Sequence, residues 1–119
     1  MIQLTINISN NNKIGVNNMT LIYTTCKDKR EAEKVSAHLL KKRLIACANM
    51  FPIKSMFWWN FKIANENEVA IFAKTNEKNF KEAVKEIRKM HSYKIPLILK
   101  ISARANNDYE EWANKEMKS

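Results

Sequence analysis

Residues 45–61, IACANMFPIKSMFWWNF, form a nearly uncharged run with two adjacent tryptophans in a chain otherwise crowded with lysine. Read as a strand, the run has one unavoidable consequence. Successive side chains alternate across a sheet, so Trp58 and Trp59 must point to opposite faces, and each face needs a cover. On that reading Phe57, Trp59, Phe61 and Ile63 line one face, while Met56 and Trp58 lie on the other. Pro52 cannot donate to a ladder, so it marks a bend, a bulge or an edge position.

The rest of the chain supplies candidates for the cover. Residues 1–9 alternate Ile2, Leu4, Ile6 and Ile8 with polar side chains, the period of a half-buried strand, and lead into a turn-rich stretch holding the only glycine, Gly15. Residues 1–18 are expected to be an extension, either an added strand or a leader, ahead of one domain over 19–119. LIYTTC at 21–26 reads as a central strand. Asp28 with Glu31 has the form of a capping box, and Ala32, Val35, Leu39 and Leu40 make one apolar stripe of a helix ending near Lys42. Leu44 to Thr75 reads as two long strands with a turn around Asn65–Asn67. Asn76 then caps a helix carrying Phe80, Ala83, Val84, Ile87 and Met90, which stops around His91–Lys94. IPLILKIS at 95–102 is another strand, and Asn107 and Asp108 open a short helix with Tyr109, Trp112 and Ala113.

From Leu21 the order is strand, helix, strand, strand, helix, strand, then a terminal helix. This predicts an α+β fold: a ferredoxin-like βαββαβ sandwich with an antiparallel sheet and an extra C-terminal helix. Two helices bury only one face of such a sheet. Each large aromatic contributes on the order of 1.5 to 3 kcal/mol on burial, and an uncovered apolar patch is an aggregation liability. The second set of aromatics is therefore expected to meet another subunit, the alternative being that Trp58 packs under the terminal helix or the N-terminal extension.

Composition narrows the function classes. A chain of 119 residues makes one domain burying roughly two-thirds of its unfolded surface. No apolar stretch approaches the length of a bilayer span and the start lacks the pattern of a signal peptide, so a cytoplasmic location is expected. Cys26 and Cys47 have no metal-type spacing and read as free thiols. The net charge of +9 is concentrated in residues 27–43 and 76–94, both helical in pattern and interleaved with glutamates such as Glu77, four before Lys81. That is a solvated face, and nucleic acid is not the expected partner. There is no Ser/His/Asp pattern, no H-E-x-x-H and no glycine-rich phosphate loop, so the chain is not read as an enzyme.

LIACANMFPIKSMFWW resembles the CutA family, which shows an Ala-Cys-Xaa-Asn/Thr run, a proline, a serine and an aromatic pair ending in Trp. The match extends through TTCKDKREAEKVSAHLLKKRLIACAN, Glu68, KT at the close of the next strand, HSYKIP and DYEEW, covering residues 20–117. The resemblance implies a ferredoxin-like subunit in a homotrimer built by edge pairing of long strands, associated with divalent-cation tolerance, copper especially, and similar in architecture to PII-type signalling trimers. Trp58, Trp59 and Phe57 become the candidate trimer interface. Three positions depart from the family pattern: Leu97 stands where glutamate is usual, Ser92 where proline is, and Phe61 where glycine commonly follows the tryptophan.

Copper or another divalent metal would be served by imidazole or thiolate, so the candidate ligands are His91, which matches the family's histidine, Cys26 and Cys47. For His91 the competing role is a histidine at a helix C-terminus, and for Cys47 a small buried hydrophobe. His38 lies off the apolar stripe and reads as solvated. Glu68, Lys74 and Tyr93 are candidate cleft-lining groups. Two other readings remain open: a PII-like module binding a small anion in intersubunit clefts, and a nucleic-acid-binding module on the same fold.

Overall fold

The computed structural model describes residues 19–119, and the strand expected over residues 1–9 lies outside them. The described chain runs β1 (Met19–Cys26), α1 (Lys29–Lys41), β2 (Cys47–Trp59), β3 (Lys62–Thr75), α2 (Glu77–Met90), β4 (Ile98–Ala103) and α3 (Asn107–Glu116). The sheet is antiparallel with order β2-β3-β1-β4, as the ferredoxin-like plan requires. Pro52 lies in the edge strand β2, where its missing N–H can face away from β3.

Local chemistry sets the helix ends. Asp28 accepts the Glu31 N–H at 2.8 Å and Asn76 accepts the Asn79 N–H at 2.9 Å, each side chain satisfying an orphan donor of the first turn. The expected capping box is only half formed, because the Glu31 carboxylate reaches past Asp28 to the Lys27 N–H at 3.1 Å. At the other end of α1, Arg43 takes the left-handed conformation (φ 60°), and the Arg43 and Leu44 N–H groups return to Leu40 and Leu39. That closure drops Leu44 and Ile45 straight into the core.

The main core lies between the sheet and the α1/α2 layer: Ile22, Val35, Leu39, Leu44, Ile71 and Ile87 are all buried there. The opposite face carries a second, smaller cluster, in which Met19, Ala113 and Met117 bury Leu21 and Tyr109. α3 therefore covers one end of the face that sequence reasoning left bare. Beyond it lies an aromatic row, with Tyr23 edge-on to Phe72 at 5.2 Å and Phe72 stacked on Phe51 at 6.1 Å. His38, expected to be solvated, instead bonds Glu86 at 2.7 Å and ties α1 to α2, while Lys89 approaches the other oxygen at 3.2 Å. The His38 bond first, and Lys89 second, pull the Glu86 carboxyl down to about 2. Glu77 pairs across to Lys100 of β4 at 2.6 Å.

The turn between the long strands is not at Asn65–Asn67. Trp59 pairs with Lys62, and Asn60 and Phe61 make the two-residue connection with φ of 51° and 62°. Two successive positive φ values are what a tight hairpin of this hand demands. Phe61 thus leaves the strand face assigned to it and stands fully exposed at the tip. A bulky side chain in the left-handed region is disfavoured by about 1 kcal/mol or more relative to glycine. Phe61→Gly is expected to stabilise the hairpin by about 1 kcal/mol, seen as a higher thermal unfolding midpoint. A lower midpoint would instead place the Phe61 ring in an assembly contact.

The expectation that the helices would cover one of the two tryptophans also fails. In an unbroken register, Phe57 and Trp59 continue the side of Phe51, while Met56 and Trp58 continue the side of Met50 and Ile71, toward the helices. Strands of this length reach roughly 45 Å, whereas α1 and α2 reach only about 20 Å. Residues Lys62–Glu68 of β3 pair with β2 alone, so the distal half is a two-stranded ribbon projecting past the helix layer. On it Met56, Trp58, Trp59 and Ile63 are 68, 73, 58 and 59% exposed. Neither α3 nor the α1/α2 layer reaches Trp58.

Candidate functional site

At the end of the sheet where β1 gives way to α1, three donor groups converge. Cys26 Sγ, a Glu31 carboxylate oxygen and a His91 ring nitrogen lie within 4.8 Å of one another. β1 delivers Cys26 at its last residue, α1 brings Glu31 round on its first turn, and α2 ends at Met90 so that His91 becomes its C-cap. Sequence reasoning had Cys26 and His91 but missed Glu31, whose only visible signal was its place in a capping pattern.

Each donor is engaged. His91 Nε2 meets the Thr25 carbonyl at 2.7 Å, and its Nδ1 accepts the Tyr93 N–H at 3.1 Å. Because Nδ1 accepts, the neutral ring carries its proton on Nε2, which donates to Thr25. Glu31 accepts the Lys27 N–H with one oxygen and the Ser92 N–H, at 2.9 Å, with the other. Burial disfavours its ionised form, but the bonds from Ser92 and Lys27 and the nearby His91 outweigh that and hold its carboxyl below the usual range. Burial, with the charges of Glu31, Asp28 and Glu68, pushes the Cys26 thiol up to about 12, so it keeps its proton at neutral pH.

The neighbouring loop extends this network outward. Tyr93 donates its hydroxyl to Glu68 at 2.5 Å, with its ring 4.9 Å from that of His91. Burial first, then the Glu68 carboxylate, raises the phenol above its ordinary range. Between this loop and the distal ribbon runs an open groove of about 650 Å³, lined by Phe57, Trp58, Trp59, Glu68, Tyr93 and Leu97 among others. The candidate cleft residues Glu68 and Tyr93 and the candidate interface aromatics thus share one surface. Leu97, at the position where a glutamate was expected, gives that surface an apolar group 45% exposed. Ile95–Leu97 belong to this loop rather than to β4, which starts at Ile98.

Two candidates fall elsewhere. Cys47 pairs with Lys74, and Lys74 with Leu21, so Cys47 lies roughly 17 Å from Cys26 along the strands. Lys74 sits under α3, with its ammonium 3.4 Å from the Tyr109 hydroxyl and 5.3 Å from the centre of that ring. It is roughly 20 Å along β3 from Glu68 and does not line the groove. Among the described residues no helix is long and apolar enough to cross a membrane.

The family model for the CutA1 divalent ion tolerance protein matches residues 20–116. The divalent-cation tolerance protein CutA of Pyrococcus horikoshii is 41% identical over 101 residues, spanning 84% of this chain and 99% of the relative. That of Archaeoglobus fulgidus is 41% identical over 95 residues, spanning 79% and 93%. Among solved structures, the periplasmic divalent cation tolerance protein CutA from Archaeoglobus fulgidus superposes with a TM-score of 0.82 at 39% identity, covering 84% of this chain and 99% of that one. CutA1 from Ehrlichia chaffeensis superposes with a TM-score of 0.83 at 35% identity, covering 87% and 98%.

Proposed function

The chain belongs to the CutA1 divalent ion tolerance family, and on that footing we propose that it acts in divalent-cation tolerance as a non-enzymatic homotrimer that takes copper or a similar divalent cation weakly. The convergence of Cys26, Glu31 and His91 within 4.8 Å carries this reading. Thiol, imidazole and carboxylate together suit a borderline-soft cation such as copper or zinc. Weakness follows from the same geometry. Both His91 nitrogens already hold hydrogen bonds, and the Cys26 thiol must lose a proton that burial keeps on it. Cys47 stands apart from this cluster and is left with a packing role in the strand.

The trimer is supported by the distal ribbon. An isolated two-stranded hairpin is marginal in water, and this one exposes Trp58, Trp59, Met56 and Ile63 on both faces. A neighbouring subunit against Phe57, Trp58 and Trp59 supplies the missing layers. A cytoplasmic location stays part of the reading, on the strength of the two free cysteines.

Titration with Cu(II) tests the cluster. Wild type is expected to bind weakly, and His91→Ala and Glu31→Gln are each expected to lose about tenfold or more in affinity. Equal binding by all three would remove the cluster from the account.

A further inference from the structure

The atoms that would hold a cation are the same atoms that fasten the loop after α2. The His91–Tyr93 segment is secured at four points: His91 Nε2 to Thr25, Ser92 N–H to Glu31, Tyr93 N–H to His91 Nδ1, and Tyr93 hydroxyl to Glu68. A neutral imidazole offers a single acceptor lone pair. In the present arrangement that lone pair is on Nδ1 and is taken by the Tyr93 N–H. Coordination through Nδ1 displaces that N–H directly. Coordination through Nε2 requires the other tautomer, which places a proton on Nδ1 facing the Tyr93 N–H, so donor meets donor. Either route breaks the same bond. Glu31 differs, since a carboxylate oxygen can keep an N–H while ligating.

Resting on the cluster reading above, we infer that cation binding through His91 breaks the Tyr93 N–H bond to Nδ1, so that occupancy of the cluster and full fastening of the groove wall oppose one another. The consequence reaches the groove because the Tyr93 side chain is part of its lining, bonded to Glu68 and beside Trp58 and Leu97. A buried cation is thereby coupled to the surface on which the neighbouring subunit is proposed to pack. The device needs no hinge beyond the loop itself. His91 leaves the helix in extended conformation, with φ −76° and ψ 136°, so the loop parts from α2 at this residue.

Coupling is reciprocal: whatever loosens the loop tightens the cation by the same factor. Tyr93→Phe keeps the ring and the backbone N–H but removes the bond to Glu68, and its affinity for Zn(II), a redox-inert probe, is expected to rise roughly threefold to tenfold. In wild type, saturating Zn(II) is expected to speed hydrogen exchange of the Tyr93 amide about tenfold or more, read residue by residue by NMR on the full chain. Ser92→Pro removes the N–H held by Glu31, and the extended His91 suits a following proline; it too is expected to bind Zn(II) more tightly. If Zn(II) binds wild type, is lost in His91→Ala, and leaves the Tyr93 amide and the variant affinities unchanged, the coupling is overturned while the cluster stands. If neither wild type nor the two loop variants bind Zn(II), the cluster reading falls and the coupling falls with it.

Discussion

Replacing Trp58 and Trp59 together by lysine is expected to convert a species of three times the chain mass into one of 14.0 kDa, measured by native mass spectrometry at micromolar concentration. Both side chains are largely exposed, so among the described residues the substitution removes no core contact. In an assembly the loss is large. Two buried aromatics in each of three subunits, at about 1.5 to 3 kcal/mol apiece, contribute on the order of 10 kcal/mol or more. The lysines would also bring like charges together on a chain whose net charge is already +9. A wild-type protein that is itself monomeric at this concentration would sink the trimer.

The second large effect is expected within the folding unit. Ile71 and Ile63 lie on the same strand, β3, yet Ile71 is 0% exposed in the core and Ile63 is 59% exposed on the ribbon. Ile71→Ala should cost about 3 to 4 kcal/mol, because the helix layer above it cannot collapse to fill the cavity. Ile63→Ala should change the stability of the single chain by no more than about 0.5 kcal/mol. Denaturant unfolding in the monomeric Trp58→Lys, Trp59→Lys background separates the two. A large loss for Ile63→Ala in that background would show that the ribbon folds back on its own chain.

Much of this fold was legible because short-range chemistry coincides with the tertiary result. Asp28 and Asn76 satisfy N–H groups three residues away, and such bonds need nothing from the rest of the molecule. The hairpin turn was misplaced for the complementary reason. Asn65 and Asn67 have turn chemistry but lie opposite Met56 and Lys54 in the ladder, whereas Phe61 has none and still takes the turn. Strand pairing overrode local preference there. For the site, His91 and Cys26 could be picked out as donors by residue type alone. Glu31 could not, since its partner Ser92 lies 61 positions away and only the crossing of α1 and α2 at one end of the sheet joins them. Lys74 stands apart from Glu68 and Tyr93 beside Tyr109 of α3, a neighbour that the strand pattern does not locate.

By itself the sequence determined the order of elements, the helix starts, the alternation that sets Trp58 against Trp59, and the demand for a cover on both. Those follow from bonds within a few residues and from the period of a strand. Tertiary structure decided that neither tryptophan is covered by the helices of the described residues, because strands rise about 3.4 Å per residue and helices only 1.5 Å, so helices of equal residue count stop half-way along the hairpin. It also decided that His91 answers to Thr25 and Glu31 to Ser92. Those pairings span 66 and 61 positions and depend on where the ends of β1, α1 and α2 meet, and no local period records such a meeting.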